Sequence, residues 1–125
     1  MIRTKLLLVD DEEDFILALA ERLHLRNYDT KGATSGEAAL SEIEKERPDI
    51  VVLDLKMPGM SGMEVLREIK TRDPSIDVII LTGSVDSEIG EVALKAGATY
   101  HMVKPMDIED LLEKLQSIRK KRGLH

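Results

Sequence analysis

The sequence predicts an α/β fold, a doubly wound parallel sheet with helices on both faces, and three observations predict it. Three continuous aliphatic runs, Leu6-Leu7-Leu8-Val9, Ile50-Val51-Val52-Leu53 and Val78-Ile79-Ile80-Leu81, have the length and β-branched content of strands buried on both faces. Segments with apolar residues at helical spacing separate them. Every crossover between neighbouring parallel strands is right-handed, so strict alternation sends helices to both sides of the sheet.

Taken in order, the first strand is Leu6–Val9 and the first helix carries Phe15, Leu19 and Leu23 on one stripe. Tyr28-Asp29-Thr30-Lys31 alternates as an edge strand does. Thr34 with Glu37 fits the S/T-x-x-E capping box ahead of a helix marked by Leu40 and Ile43. Pro48 precedes the second buried run. Ser61 with Glu64 repeats the box before Val65, Leu66 and Ile69, and Pro74 precedes the third run. Ile89, Val92 and Ala93 mark a fourth helix, with Gly97 where its end favours a left-handed residue. Tyr100-His101-Met102-Val103 is the fifth strand, and Asp107 caps a last helix carrying Leu111, Leu115 and Ile118.

Residues 1–125 are expected to form one domain, with the last residues reading either as a chain end or as the start of a linker. No run approaches the ~20 apolar residues of a membrane span, and no signal peptide is evident, so a cytoplasmic location without membrane partners is expected. The absence of cysteine excludes disulfides and thiolate chemistry. A net charge of −6 argues against direct nucleic-acid binding, which requires neutralisation of phosphates. The run Arg119-Lys120-Lys121-Arg122 is the local exception; it reads as a solvated helix end whose cations suit the helix dipole.

In doubly wound sheets ligands bind at the carboxyl ends of the strands, so the residues that end each strand are the informative ones. They are Asp10 and Asp11, Asp54, Thr82, and Lys104 followed by Pro105. Each alone has an ordinary explanation as a cap, a turn or a solvated residue. Together they are the parts of one site. Three carboxylates on one edge repel by about a few kcal/mol per pair at an effective dielectric near 20, which calls for a cation. With no histidine or cysteine nearby in sequence, a hard dication of the Mg²⁺ type suits the oxygen donors better than zinc. Lys104 offers a point charge and Thr82 a hydroxyl for a phosphate. The inferred chemistry is attack by Asp54 on phosphorus.

These residues resemble the receiver domain of two-component response regulators. The resemblance covers essentially the whole chain and rests on Leu8-Val9-Asp10-Asp11-Glu12, Asp54 through Gly62, Leu81-Thr82-Gly83, Lys95-Ala96-Gly97-Ala98 and Lys104-Pro105. It implies a flavodoxin-like (βα)5 domain with strand order 2-1-3-4-5, working as a phosphorylation-activated signalling switch. Asp54 would accept the phosphoryl group from a phosphohistidine on a sensor histidine kinase or phosphotransfer protein. Asp11, Asp54 and the backbone carbonyl of Lys56 would ligate Mg²⁺, or Mn²⁺ in its place, with Asp10 acting through a water. Lys104 would pair with the phosphate across a cis peptide to Pro105, and Thr82 would be the switch hydroxyl. The aromatic switch position is His101 here. The favoured reading is a planar ring filling that slot, over a pH sensor near the imidazole's unperturbed ~6.5. Met106 stands where the family often has Phe and reads as packing. Lys56 and Ser84 would tune the phosphoryl lifetime. The chain would catalyse its own phosphorylation and dephosphorylation without turning over an external substrate. Its output domain or partner is left open, with the fourth and fifth helices as a candidate homodimer face.

Two other functions share parts of this pattern. A phosphohydrolase of the haloacid dehalogenase type needs a second Asp two residues after the nucleophile, where this chain has Lys56. A nucleotide- or flavin-binding module wants a glycine-rich loop after the first strand, where this chain has Asp10-Asp11-Glu12-Glu13-Asp14.

Overall fold

A computed structural model describes residues 3–83 and 87–123. Ten elements alternate: β1 (Thr4–Val9), α1 (Glu13–His24), β2 (Tyr28–Ala33), α2 (Gly36–Lys45), β3 (Ile50–Asp54), α3 (Gly62–Arg72), β4 (Asp77–Thr82), α4 (Ser87–Lys95), β5 (Tyr100–Val103) and α5 (Ile108–Arg122). The strands pair in parallel in the order β2-β1-β3-β4-β5. Chain order therefore reverses between β1 and β3, and the carboxyl ends of those strands flank the crevice where such sheets bind ligands.

Alternation along the central strands divides the core in two. Leu7, Val9, Val51, Leu53, Val78 and Ile80 pack with Leu40 and Ile43 of α2, Val65, Leu66 and Ile69 of α3, and Ala93 of α4. Leu6, Leu8, Ile50, Val52, Ile79 and Leu81 face the other way, against α1 (Ile16, Leu19, Leu23) and α5 (Leu111, Leu115, Ile118). Every residue of β3 is buried, and each fully buried Leu or Ile contributes about 1.5–3 kcal/mol of hydrophobic stabilisation.

Three expectations from the sequence are corrected. The cap of α2 is Ser35, not Thr34: Ser35 holds the extended conformation directly before Gly36 and its side chain accepts a hydrogen bond from the Ala38 amide at 3.1 Å. Val92 lies outside the core face of α4 and is 48% exposed, while Ala93 is fully buried. The basic run is not simply a solvated helix end. Arg122 reaches back to Asp77 (Nε–Oδ2 2.8 Å) and Asp49 (3.8 Å) and donates to the Ser75 carbonyl. Arg119 lies over the Tyr28 ring, 5.2 Å from its centroid. The amino ends of the central strands hold carboxylates that attract the end of α5 more specifically than water does. The capping box of α3 is formed by Ser61 and Glu64, and Asp107 caps α5 by accepting from the Glu109 amide at 2.9 Å.

Substituting the two candidate caps of α2 separates them. Ser35→Ala should lower the unfolding free energy by about 1 kcal/mol, whereas Thr34→Ala should stay within about 0.5 kcal/mol of wild type, by denaturant titration. Equal losses would show that the cap is misassigned.

Candidate functional site

Strand register sets the site. Val9 pairs with Leu53, Asp54 with Leu81, and Thr82 with Val103, so Asp10, Asp54, Thr82 and Lys104 leave four adjacent strands on one edge. Asp10 is 2% exposed, Asp54 6% and Thr82 2%, a degree of burial that polar side chains tolerate only when they are bonded or functional.

Asp54 ends β3. Its Oδ1 accepts the Lys56 amide at 3.1 Å, and the Lys104 ammonium stands 3.8 Å from Oδ2. Burial pushes the Asp54 carboxyl above the ordinary carboxylate range, helped by the charges of Asp10 and Asp11; the Lys56 amide and Lys104 oppose the shift without cancelling it. Gly62, the first residue of α3, lies where a methyl group would run into the Asp54 carbonyl and the Leu55 Cα. A larger residue there would push the start of α3 off the strand end.

Lys104 follows β5 through a cis peptide to Pro105. Its nearest partner is Asp10, at 2.5 Å from Oδ2, rather than Asp54. Desolvation works to lower the ammonium, but the Asp10 hydrogen bond and the two carboxylate charges raise it on balance, so it stays charged. Asp10 also accepts the Glu12 amide at 2.9 Å. Asp11 and Glu12 are exposed, and one carboxylate oxygen from each of Asp10, Asp11 and Glu12 fits within a 4.8 Å cluster. Glu12 was not among the expected ligands. Its signal was present in the unbroken acidic run after β1. The Asp54–Lys56 hydrogen bond holds the Lys56 main chain against the acceptor carboxylate, while the Lys56 side chain is exposed.

Thr82 Oγ1 and His101 Nε2 share a hydrogen bond at 3.1 Å. The half-buried imidazole fits beside α4 because residue 90 is glycine; a methyl there would overlap the ring. Ser84, expected near the attacking water, lies outside the described residues. No helix among the described residues is long and apolar enough to cross a membrane.

This arrangement can place a carboxylate nucleophile, an ammonium and an oxygen-donor cluster around one phosphoryl group. The sequence profile of the response regulator receiver domain matches residues 6–116. The chain is 39% identical over 111 residues to sporulation initiation phosphotransferase F of Bacillus subtilis, covering 89% of this chain and 90% of that protein. It is 36% identical over 121 residues to sensory transduction protein RegX3 of Mycobacterium tuberculosis, covering 96% of this chain and 52% of that one, so it spans about half the length of that relative. Among solved structures, a response regulator receiver domain protein from Clostridium thermocellum superposes with a TM-score of 0.90 at 32% identity over 96% of this chain and 97% of that one. A CheY-like receiver domain protein from Methanospirillum hungatei gives 0.91 at 28% identity, over 98% of both chains. With the sheet order in agreement with these likenesses, the chain belongs to the response regulator receiver domain family, the phosphorylation-activated signalling switches of two-component systems.

Proposed function

We propose that the chain acts by accepting a phosphoryl group on Asp54 from the phosphohistidine of a sensor histidine kinase or phosphotransfer protein, in a Mg²⁺-dependent reaction. The observation that carries this reading is a buried carboxylate at the end of β3 with an ammonium 3.8 Å away and an acidic cluster on the neighbouring strand end.

Asp54 Oδ attacks phosphorus, a P–O bond forms, the P–N bond of the donor breaks, and the imidazole leaves as the neutral ring because its other nitrogen already carries a proton taken from solvent. The all-oxygen donor set fits a hard dication: Asp11, Asp54 and the Lys56 carbonyl would hold it, with Asp10 through a water and Glu12 at the rim. When bound, Mg²⁺ supplies positive charge against the phosphoryl oxygens, and Mn²⁺, which accepts the same ligands, would substitute. Lys104 pairs with a phosphoryl oxygen, for which it must loosen its hold on Asp10. Thr82 then turns its hydroxyl toward the phosphoryl group, and the His101 ring, bonded to it at 3.1 Å, responds. Lys56 and Ser84 tune how quickly water removes the group. No carboxylic acid stands two residues after Asp54, so hydrolysis is slow self-dephosphorylation and not turnover of an external substrate.

Residues 1–125 act as one receiver unit in the cytoplasm, where a kinase can reach it. Its signal passes through the α4–β5–α5 face to an output domain, a partner or a second copy; Val92, Leu94 and Val103 are exposed there. Direct nucleic-acid binding is not part of this reading, since the net charge is −6 and Arg119 and Arg122 are engaged within the fold.

Incubation with a small phosphodonor and Mg²⁺ should add one phosphoryl group by intact mass, and the gain should vanish in Asp54→Asn and in chelator. An unmodified wild type would sink the proposal. A second expectation concerns stability. Because the folded Asp54 carboxyl is raised, its ionised form is disfavoured in the fold, and stability is lost as pH rises from the unfolded carboxyl value through the folded one. Without metal, Asp54→Asn should therefore melt above wild type at pH 7, by on the order of 4 °C per kcal/mol recovered, with the gap closing toward pH 4. A gap of the opposite sign, or one independent of pH, would contradict the assigned desolvation.

A further inference from the structure

The chain has three aromatic residues, two Tyr and one Phe, and the phenylalanine sits at the phosphoacceptor site. Phe15, in the first turn of α1, is half-buried and packs on the α1–α5 side of the core. The spacing of its helix read it as a core residue only. The Lys104 Nζ lies over its ring, 4.4 Å from the centroid, inside the range in which an ammonium is attracted to the negative face of an aromatic ring.

Lys104 thus has three neighbours of different strength: Asp10 at 2.5 Å, Asp54 at 3.8 Å and the ring. The Lys104 side chain is only 19% exposed, which strengthens a contact of this kind by removing competing water. A lysine is a point charge on a flexible four-carbon stem, so its position must be fixed by what surrounds it. A third carboxylate at position 15 would fix it but would compete with the phosphoryl oxygens. An aliphatic side chain would fill the space without attracting the charge. An aromatic face attracts the ammonium and yields to a full negative charge.

We propose that Phe15 is a positioning residue for Lys104, its ring holding the ammonium beside the Asp10–Asp54 gap so that it meets an incoming phosphoryl oxygen without first being gathered from other rotamers. This rests on the phosphoacceptor reading of Asp54. The contact acts through Lys104 and forms no bond with the phosphoryl group.

The test follows the rate of Asp54 phosphorylation by a small phosphodonor at fixed Mg²⁺ in a series at position 15. Phe15→Tyr keeps the ring and should stay within about two-fold of wild type. Phe15→Leu keeps the bulk and should slow the reaction by about five- to ten-fold. Phenylalanines carrying one, three and five ring fluorines keep the shape while removing the negative face, and should slow it stepwise with unchanged melting temperature and Mg²⁺ affinity. The ring should also shift the Lys104 εCH₂ proton resonances upfield in wild type and Phe15→Tyr, and not in Phe15→Leu. If Phe15→Leu fails to fold, the fluorinated series decides. A flat rate across that series in protein that is phosphorylated normally overturns this inference alone. A wild type that takes up no phosphoryl group overturns the phosphoacceptor reading and this inference with it.

Discussion

A carboxylate removed from water at the end of a strand that is itself buried along its length is the constraint around which this molecule is organised. Asp54 is 6% exposed and every residue before it in β3 is buried. An unpaired ion in such a place is costly, and what surrounds it answers that cost: an amide from Lys56, an ammonium from the far end of the chain, and an acidic neighbour that holds that ammonium close. None of these partners is near in sequence except Lys56. They meet because the strand order sets β1 beside β3 and carries β4 and β5 outward in succession, so the fold is the device that gathers an ammonium and several carboxylates, as far as 94 positions apart in the chain, into one site.

The opposite edge of the sheet is closed by a different logic. Asp49 and Asp77 near the amino ends of β3 and β4 are engaged by Arg122, by the Lys5 amide at 2.9 Å and by the Thr99 hydroxyl at 2.7 Å. Here both carboxylates have partners. What this edge contributes is the attachment of α5.

Most of the architecture was readable from the chain because buried parallel strands leave a coarse mark: Leu6–Val9, Ile50–Leu53 and Val78–Leu81 admit little else, and helix starts such as Ser61 with Glu64 carry their own chemistry. That Asp10, Asp54 and Thr82 would share one edge was readable for the same reason, since they stand directly after those runs, and Lys104 stands after the more mixed fourth one. What escaped depended on finer geometry. Thr34 and Ser35 are both good caps, and a one-residue difference in where the backbone turns chose between them. Val92 fits the helical stripe of α4 as well as Ala93 does, but the helix rotates so that only one can be inside. Arg119 and Arg122 look like solvated ends in sequence because Tyr28 and Asp77 are far away along the chain. Glu12 and Phe15 were hidden in plain patterns, an acidic run and a core stripe: the cluster of Glu12 with Asp10 and Asp11, and the contact of Phe15 with Lys104, appear only once the chain is folded.

The glycine at position 90 has a further consequence. A glycine inside a nine-residue helix weakens it by roughly 1 kcal/mol relative to alanine, and it is there because the His101 ring occupies the space a side chain would need. The imidazole fills the notch that the glycine leaves, so packing against the ring offsets part of what the glycine costs the helix. A hydroxyl at the edge of the sheet, by holding that imidazole at 3.1 Å, thus sits one side chain away from the packing of a surface helix.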